Sequence, residues 1–260
     1  MHAVAFLGIL CFLYGYFIEP YWLKTNTYRI STHKLKNTKI RIVHLSDIHC
    51  DQKIRNEKRV VELVNMLKPD IIVFTGDTLN TEQALPAFRN MMSGLKASMA
   101  KIAVRGNFDV WWWENYKVFD HTGFKVLDNE CIQYLKEGEK ISFIGIRFDS
   151  EERWKYFLKD LGGGYRVLLS HTPNLAQDVS GTDIDLYLCG HTHGGQVALP
   201  LYGALMTLAK HGKKYEAGLY RLSQTALYVH RGIGMEAGCA PRVRFFSRPE
   251  IAVFDIEPEQ

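Results

Sequence analysis

A chain of 260 residues, 47% hydrophobic and 23% charged, has the composition of a globular protein with one large core. No low-complexity run, internal repeat or Pro/Gly/Ser-rich linker divides it, which argues for one large α/β domain rather than two. The formal net charge of +4 favours anionic substrates or membrane surfaces, while the lack of a dense basic stripe or an RNP-like motif argues against nucleic acid as a partner.

Residues 3–18 read AVAFLGILCFLYGYFI, an uncharged run shorter than the roughly 20 residues a spanning helix needs. Tyr21, Trp22 and Leu23 prolong it and suit an interfacial belt. No Lys or Arg precedes the run and no A-x-A-like site follows it, so it does not read as a cleaved signal peptide. Lys24, Arg29, Lys34, Lys36, Lys39 and Arg41 crowd the following flank, which the positive-inside rule puts on the cytoplasmic side. The expectation is an uncleaved membrane anchor over 1–23, a basic linker over 24–38 and a catalytic domain over 39–260 inside the cell. The competing reading of the apolar run is a buried core helix. Cys11, Cys50, Cys131, Cys189 and Cys239 show no CxxC spacing, which fits a reducing compartment without a disulfide framework.

From residue 40 the pattern becomes regular. IRIVHL (40–45) predicts a strand that ends at Ser46-Asp47. Val60, Leu63, Val64 and Leu67 recur at helical spacing, so 55–68 predicts an amphipathic helix closed by Pro69. DIIVFT (70–75) predicts a second strand ending at Gly76-Asp77, residues 83–97 a second helix, and KIAVR (101–105) a third strand ending at Gly106-Asn107. This βαβαβ order implies parallel strands, whose carboxyl ends are where open α/β sheets bind ligands. The later half predicts strands at 131–135, 141–146, 166–170, 185–189, 215–222 and 226–230, with 242–256 as a closing hairpin or edge. Two of these run into His171 and into GHTH (190–193).

Just past these strands stand Asp47, His49, Asp77, Asn107, His171, His191 and His193. Three Asp/Asn oxygens with four imidazoles suit borderline divalent ions such as Mn²⁺, Fe²⁺ or Zn²⁺. They are too many for one four-coordinate site and, with one bridging carboxylate, serve two ions. Each piece alone is unremarkable: Asp-x-His occurs by chance, Gly-Asp is a turn, and a lone His171 is most often a hydrogen-bonded histidine. The set in this order, each at a strand end, is hard to obtain by accident. Glycines before Asp77, Asn107 and His191 are expected to let the backbone turn sharply.

In these motifs the chain resembles the calcineurin-like metallophosphoesterase superfamily over about residues 39–256. GHTHGGQVALP (190–200), GIG (232–234) and PRVRFFSRPEI (241–251) are similar to a membrane-associated YkuE/YaeI-like branch. The resemblance implies a four-layer α/β/β/α sandwich of two mixed β-sheets flanked by helices, preceded here by an N-terminal apolar helix. It implies two divalent metal ions, Mn²⁺ foremost: Asp47, His49 and His193 on one, Asn107, His171 and His191 on the other, and Asp77 bridging. Asp77, Asn107 and His191 are the catalytic candidates. The implied site for the domain is the cytoplasmic side of a bacterial inner membrane, and the implied partner is a membrane lipid or lipid-linked nucleotide.

One position departs from the family pattern. Between Asn107 and Asp109 the family carries a leaving-group histidine, supported by the following acidic residue; here Phe108 takes its place. General-acid help is worth about 10²–10⁴ in rate and matters most for poor leaving groups. Its loss favours pyrophosphates or activated diesters over alkyl phosphates. Bacterial UDP-2,3-diacylglucosamine pyrophosphatases of lipid A synthesis include members that also lack this histidine, which makes UDP-2,3-diacylglucosamine the substrate the resemblance suggests. A broad phosphodiesterase or lipid phosphatase is the alternative, and a non-catalytic membrane scaffold a remote one. Arg105, beside Asn107, is a candidate phosphate contact, with Arg147, Arg231, Arg242 and Arg244 behind it. Trp111, Trp112 and Trp113 are candidates for an acyl groove or bilayer contact, or for ordinary core packing. Residues 199–209 (LPLYGALMTLA), followed by Lys210, His211, Lys213 and Lys214, suit either a loop on anionic lipid or a buried loop. His2, His33, His44, His121, His211 and His230 have no ligand-like context, though one of them could replace the missing acid.

Overall fold

A computed structural model describes residues 2–158, 161–236 and 242–259. In β2 (Ile40–Leu45) side chains alternate: Ile40 and Ile42 enter one apolar cluster, Val43 and Leu45 another. The same split recurs in β3 (Ile71–Phe74) and β4 (Ala100–Ala103), so these strands are buried on both faces, as parallel strands require. Between β2 and β3 runs α2 (Glu57–Leu67), and between β3 and β4 runs α3 (Leu85–Gly94). Both helices pack their apolar stripes (Val60, Val64, Phe88, Met92) on the outer face of this sheet. Lys68 adopts a left-handed conformation that ends α2 just before Pro69, as the sequence predicts.

The first sheet has six strands, in the order β1 (Lys24–Thr32), β14 (Glu250–Pro258), β2, β3, β4, β5 (Lys125–Val126). The second orders β12 (Gly218–Leu222), β13 (Thr225–Val229), β9 (Leu186–Cys189), β8 (Tyr165–Leu169), β7 (Glu139–Gly145) and β6 (Glu130–Lys136). Both mix parallel and antiparallel pairs. Their facing sides share one core, in which Ile42, Val73 and Phe254 meet Phe143, Val167 and Leu188. Trp154 and the short helix α5 (Ala176–Val179) cover the outer face of the second sheet. The result is two mixed sheets flanked by helices. Register then lines up the strand ends: Leu45 pairs with Phe74 and Phe74 with Ala103, while Leu169 pairs with Leu188.

Three expectations need correction. Residues 24–38 are no simple linker: β1 occupies the first nine of them and pairs in parallel with β14 along its whole length. Its KTNTYRIST sequence hides this, because only Tyr28 and Ile30 reach the core. Residues 242–256 form neither a hairpin nor an edge, since β14 lies inside the sheet, between β1 and β2. The 199–209 stretch is not buried: Leu201, Tyr202, Leu205, Met206 and Leu208 are all exposed around the small hairpin of β10 (Ala198–Leu199) and β11 (Gly203–Ala204).

The amino-terminal helix α1 (His2–Phe17) exposes Phe6, Leu7, Ile9, Phe12 and Phe17. Its carboxyl end is docked. Gly15 O accepts from Arg244 N at 2.8 Å, and the buried Glu19 carboxylate accepts from Phe246 N at 3.0 Å. No helix among the described residues is long and apolar enough to cross a membrane. Cys11, Cys50, Cys131 and Cys189 are free thiols, while Cys239 and Pro241 lie outside the described residues.

Candidate metal centre

The aligned strand ends bring all seven predicted side chains to one edge between the sheets. Asp47 and His49 follow β2, Asp77 follows β3, Asn107 follows β4, His171 follows β8, and His191 and His193 follow β9. The backbone here is unusual. Asp47 (φ 50°), His49 (φ 42°), Asp77 (φ 60°), His191 (φ 72°) and His193 (φ 51°) all sit in the left-handed region. Non-glycine residues there store strain of order 1–3 kcal/mol each and cluster at functional sites. The glycines serve two purposes. Gly76 (φ +98°) provides the turn expected of it, whereas Gly106 and Gly190 provide room. A Cβ on Gly106 would collide with the Asp77 carboxylate, and one on Gly190 with Ser46 Oγ and the Asp47 carboxylate.

Asp77 Oδ2 lies 3.5 Å from His49 Nε2 and 3.3 Å from His171 Nε2, between the two halves of the site. On one side Asp47, His49 and His193 gather, with His193 Nε2 at 3.4 Å from Asp47 Oδ1. On the other, Asn107 Oδ1 is 2.9 Å from His171 Nε2 and 3.0 Å from His191 Nδ1. Asp47, Asp77 and His171 also come close enough to share an ion, so the two halves are contiguous.

Groups behind these side chains set their orientation. His171 Nδ1 faces Thr75 O at 2.7 Å and His49 Nδ1 faces Asn80 Oδ1 at 3.1 Å. Both contacts place a ring proton on Nδ1 and turn Nε2 toward Asp77. His49 Nε2 is buried without a hydrogen-bond partner. An orphaned buried imidazole nitrogen aimed at a carboxylate is what a cation between them would satisfy. Asn80 carries no motif and could not be read from the sequence, and Arg244, a candidate phosphate contact, is instead fully buried with its Nη2 3.4 Å from His193 Nδ1.

Charge tells the same story. Burial opposes ionisation of Asp77, but the adjoining His171 outweighs it and holds that carboxyl at about 2. Burial likewise disfavours a charged His171, yet Asp77 and Asp47 push its pKa up to about 10. Burial lowers His49 and His191 to about 4 and holds His193 well below its ordinary value, so these remain neutral donors. Burial and the Asp77 charge raise Asp47. Two buried carboxyl groups thus crowd a single imidazolium, and divalent cations bound there would favour the ionised form of both.

Phe108 sits against this centre. Its N–H donates to Asp77 Oδ1 at 2.9 Å, and its ring meets the His49 ring edge-on at 4.8 Å between centroids. Asp109 does not support position 108. It is buried and accepts from Asp77 N (2.9 Å), Gly106 N (2.8 Å), Thr78 N (3.0 Å) and Thr78 Oγ1 (2.6 Å), tying two site loops together. The tryptophans divide: Trp113 packs in the core and donates to Leu79 O at 2.8 Å, while Trp111 and Trp112 are exposed. Trp111 packs on Phe148, a ring that also faces His171 and His191. Arg105 is turned away to Glu114 and Asp128, Arg147 to Glu114, Arg231 to Glu250 and Arg242 to Asp51. His44 and His230 are buried behind the site, and His211 rests on Asn174 O. A cavity of about 400 Å³ opens beside His191 and His193, walled by Val197, Leu205, Met206 and Leu208 and edged by Glu236.

Residues 40–195 match the family model of the calcineurin-like phosphoesterases, a span that contains all seven side chains. The chain is 33% identical over 260 residues to the metallophosphoesterase YkuE of Bacillus subtilis, covering 94% of this chain and 90% of that one. It is 26% identical to the phosphodiesterase YaeI of Escherichia coli, covering 94% and 92% of the two chains. It is 22% identical to the UDP-2,3-diacylglucosamine pyrophosphatase LpxG of Chlamydia muridarum, covering 96% and 94%. With every strand-end side chain of the site inside the matched span, the chain belongs to the calcineurin-like phosphoesterases and is a metal-dependent hydrolase.

Proposed function

We propose that this hydrolase cleaves the pyrophosphate of a lipid-linked nucleotide at a membrane surface, with UDP-2,3-diacylglucosamine as substrate and UMP and a diacylglucosamine 1-phosphate as products. The observation that carries the reading is the apolar cavity against His191 and His193. An acyl chain suits Val197, Leu205, Met206 and Leu208. LpxG bears this substrate in its name and aligns over nearly the whole chain.

Asp47, His49 and His193 would hold one ion, Asn107, His171 and His191 the other, and Asp77 would bridge them. Mn²⁺ is the preferred metal, with Fe²⁺ or Zn²⁺ as substitutes. When bound, the ions would activate a water and neutralise charge on the phosphoryl oxygens. The chain's own part is to orient. The backbone N–H of Phe108 fixes Asp77, Thr75 O fixes His171, and Asn107 meets both His171 and His191.

Residues 1–23 would act as an anchor, 24–38 as a basic flank that includes β1, and 39–260 as the catalytic domain on the cytoplasmic face of a bacterial inner membrane. A 16-residue helix is about 24 Å long, against about 30 Å of hydrocarbon, which favours α1 lying in the interface. Tyr14 of α1 packs on Phe245, whose carbonyl accepts from Ala198 N at 2.8 Å, so the helix and the exposed 198–204 hairpin adjoin. A second reading, a broad phosphodiesterase, takes support from YaeI. Incubating the purified chain with Mn²⁺ and UDP-2,3-diacylglucosamine separates the two. UMP release that Asp77→Ala abolishes supports the nucleotide lipid. Turnover of aryl diesters with no UMP above a metal-free control supports the alternative.

A further inference from the structure

We infer that Glu236 is the group that protonates the departing oxygen, the task a histidine at position 108 would otherwise perform. The inference rests on the chain being a metal-dependent hydrolase and not on its acting on a nucleotide lipid.

Residues 232–236 are laced onto the metal edge one after another. Ile233 N donates to Asp47 O at 3.1 Å and Gly234 N to the same oxygen at 2.8 Å. A Cβ on Gly234 would collide with Ile48 O, so this backbone is pressed against the loop carrying Asp47 and His49. Met235 O accepts from Asn80 Nδ2 at 3.0 Å, the same Asn80 that orients His49. Glu236 N donates to Gln196 Oε1 at 2.9 Å, which ties it to the His191–His193 loop. Its side chain then lines the cavity that His191 and His193 open into. The backbone that carries the Glu236 side chain is therefore tied to the mouth of the site from two directions.

The charged and titratable neighbours there are Asp77, His171, His191 and His193. Burial and the Asp77 charge raise the Glu236 carboxyl above the ordinary range, with His171 opposing. A half-buried carboxyl group at the edge of the cavity beside His191 and His193 is placed to act as a general acid. Phe108 leaves no competing donor at its own position. In the step, the water oxygen bonds to phosphorus and the P–O bond to the leaving group breaks. The Glu236 proton passes to the leaving oxygen, and the proton given up by the water restores the acid.

The test uses the full-length chain with Mn²⁺ and a series of aryl methyl phosphodiesters whose leaving phenols range from acidic to weakly acidic. Glu236→Gln should lose about 10²-fold or more on the weakest leaving group and under about tenfold on the best, steepening the leaving-group dependence. Glu236→Asp should restore part of the loss. Bound metal per chain should be unchanged, and an infrared difference spectrum should show a protonated-carboxyl band that the Gln variant lacks. An equal loss along the series, no loss at all, a missing carboxyl band or a drop in bound metal would each overturn the assignment. None of these outcomes bears on UMP release from the nucleotide lipid, so the two readings fail separately.

Discussion

Asp109 offers the clearest test of how the site is built. Its carboxylate accepts four hydrogen bonds from the loops that carry Asp77 and Asn107. Asp109→Asn preserves shape but turns one acceptor into a donor that faces N–H groups or a hydroxyl. Two charge-assisted bonds are lost, each worth about 1.5–3 kcal/mol, so stability should fall by about 3–6 kcal/mol. For a domain of this size that corresponds to roughly 6–24 °C in Tm. Because the same bonds hold Asp77 and place Gly106 beside it, metal affinity should fall by about 10–100-fold. Differential scanning calorimetry with EDTA reads the first effect, and Mn²⁺ titration the second. A variant that melts with the wild type and binds Mn²⁺ equally well would show that Asp109 is not the tie between the loops.

Other consequences follow from the same geometry. Asn107→Ala should cut aryl-diester turnover by at least about 10²-fold while near-ultraviolet circular dichroism stays native, since Asn107 meets His171 and His191 but carries no core packing. Burial, with Arg244 and Arg231 adding to it, holds His230 down at about 3, below its unfolded value, so the unfolded chain takes up protons first as pH falls. Its contribution is present above about pH 6.5 and is lost toward pH 3, with about 2 kcal/mol gone by pH 5. Urea unfolding in EDTA at pH 7 and pH 5 should therefore show a smaller pH loss in His230→Gln than in the wild type; equal losses would count against it. Lysines at Phe6 and Ile9 remove about 3–6 kcal/mol of apolar burial in a bilayer and should weaken flotation with anionic vesicles by about 10²-fold or more, without changing aryl-diester turnover. In the Glu236→Gln background, Phe108→His should recover turnover of weak leaving groups, whereas Phe108→Leu should not.

That the seven side chains gather at one edge was legible because each carrier strand is an apolar run that stops at a polar residue. β2, β3, β4, β8 and β9 each end in a buried apolar residue just before the loop that bears the donors. Strand β1 was not legible, since its stability comes from pairing with β14 more than 200 positions away and not from its own KTNTYRIST pattern. The interior place of β14 was hidden for the same reason. The role of Asp109 as a tie between loops was not legible, because it depends on the short helix α4 (Asn107–Trp111) turning the carboxylate back onto the Asp77 loop. Asn80 and Glu236 share no motif with the site, and the contact of Arg244 with His193 has no signature of its own. They reach it only through loop packing, which a single sequence does not encode visibly. Trp111 and Trp112 became informative only through their exposure.

The central claim is that these seven side chains hold two ions with Asp77 between them. Mass-spectrometric metal counting on the Mn²⁺-saturated, desalted chain tests it most directly. The account predicts two ions per chain in the wild type, one in His171→Ala, and loss from both positions in Asp77→Ala. A single ion in the saturated wild type, or two ions retained by Asp77→Ala, would contradict it.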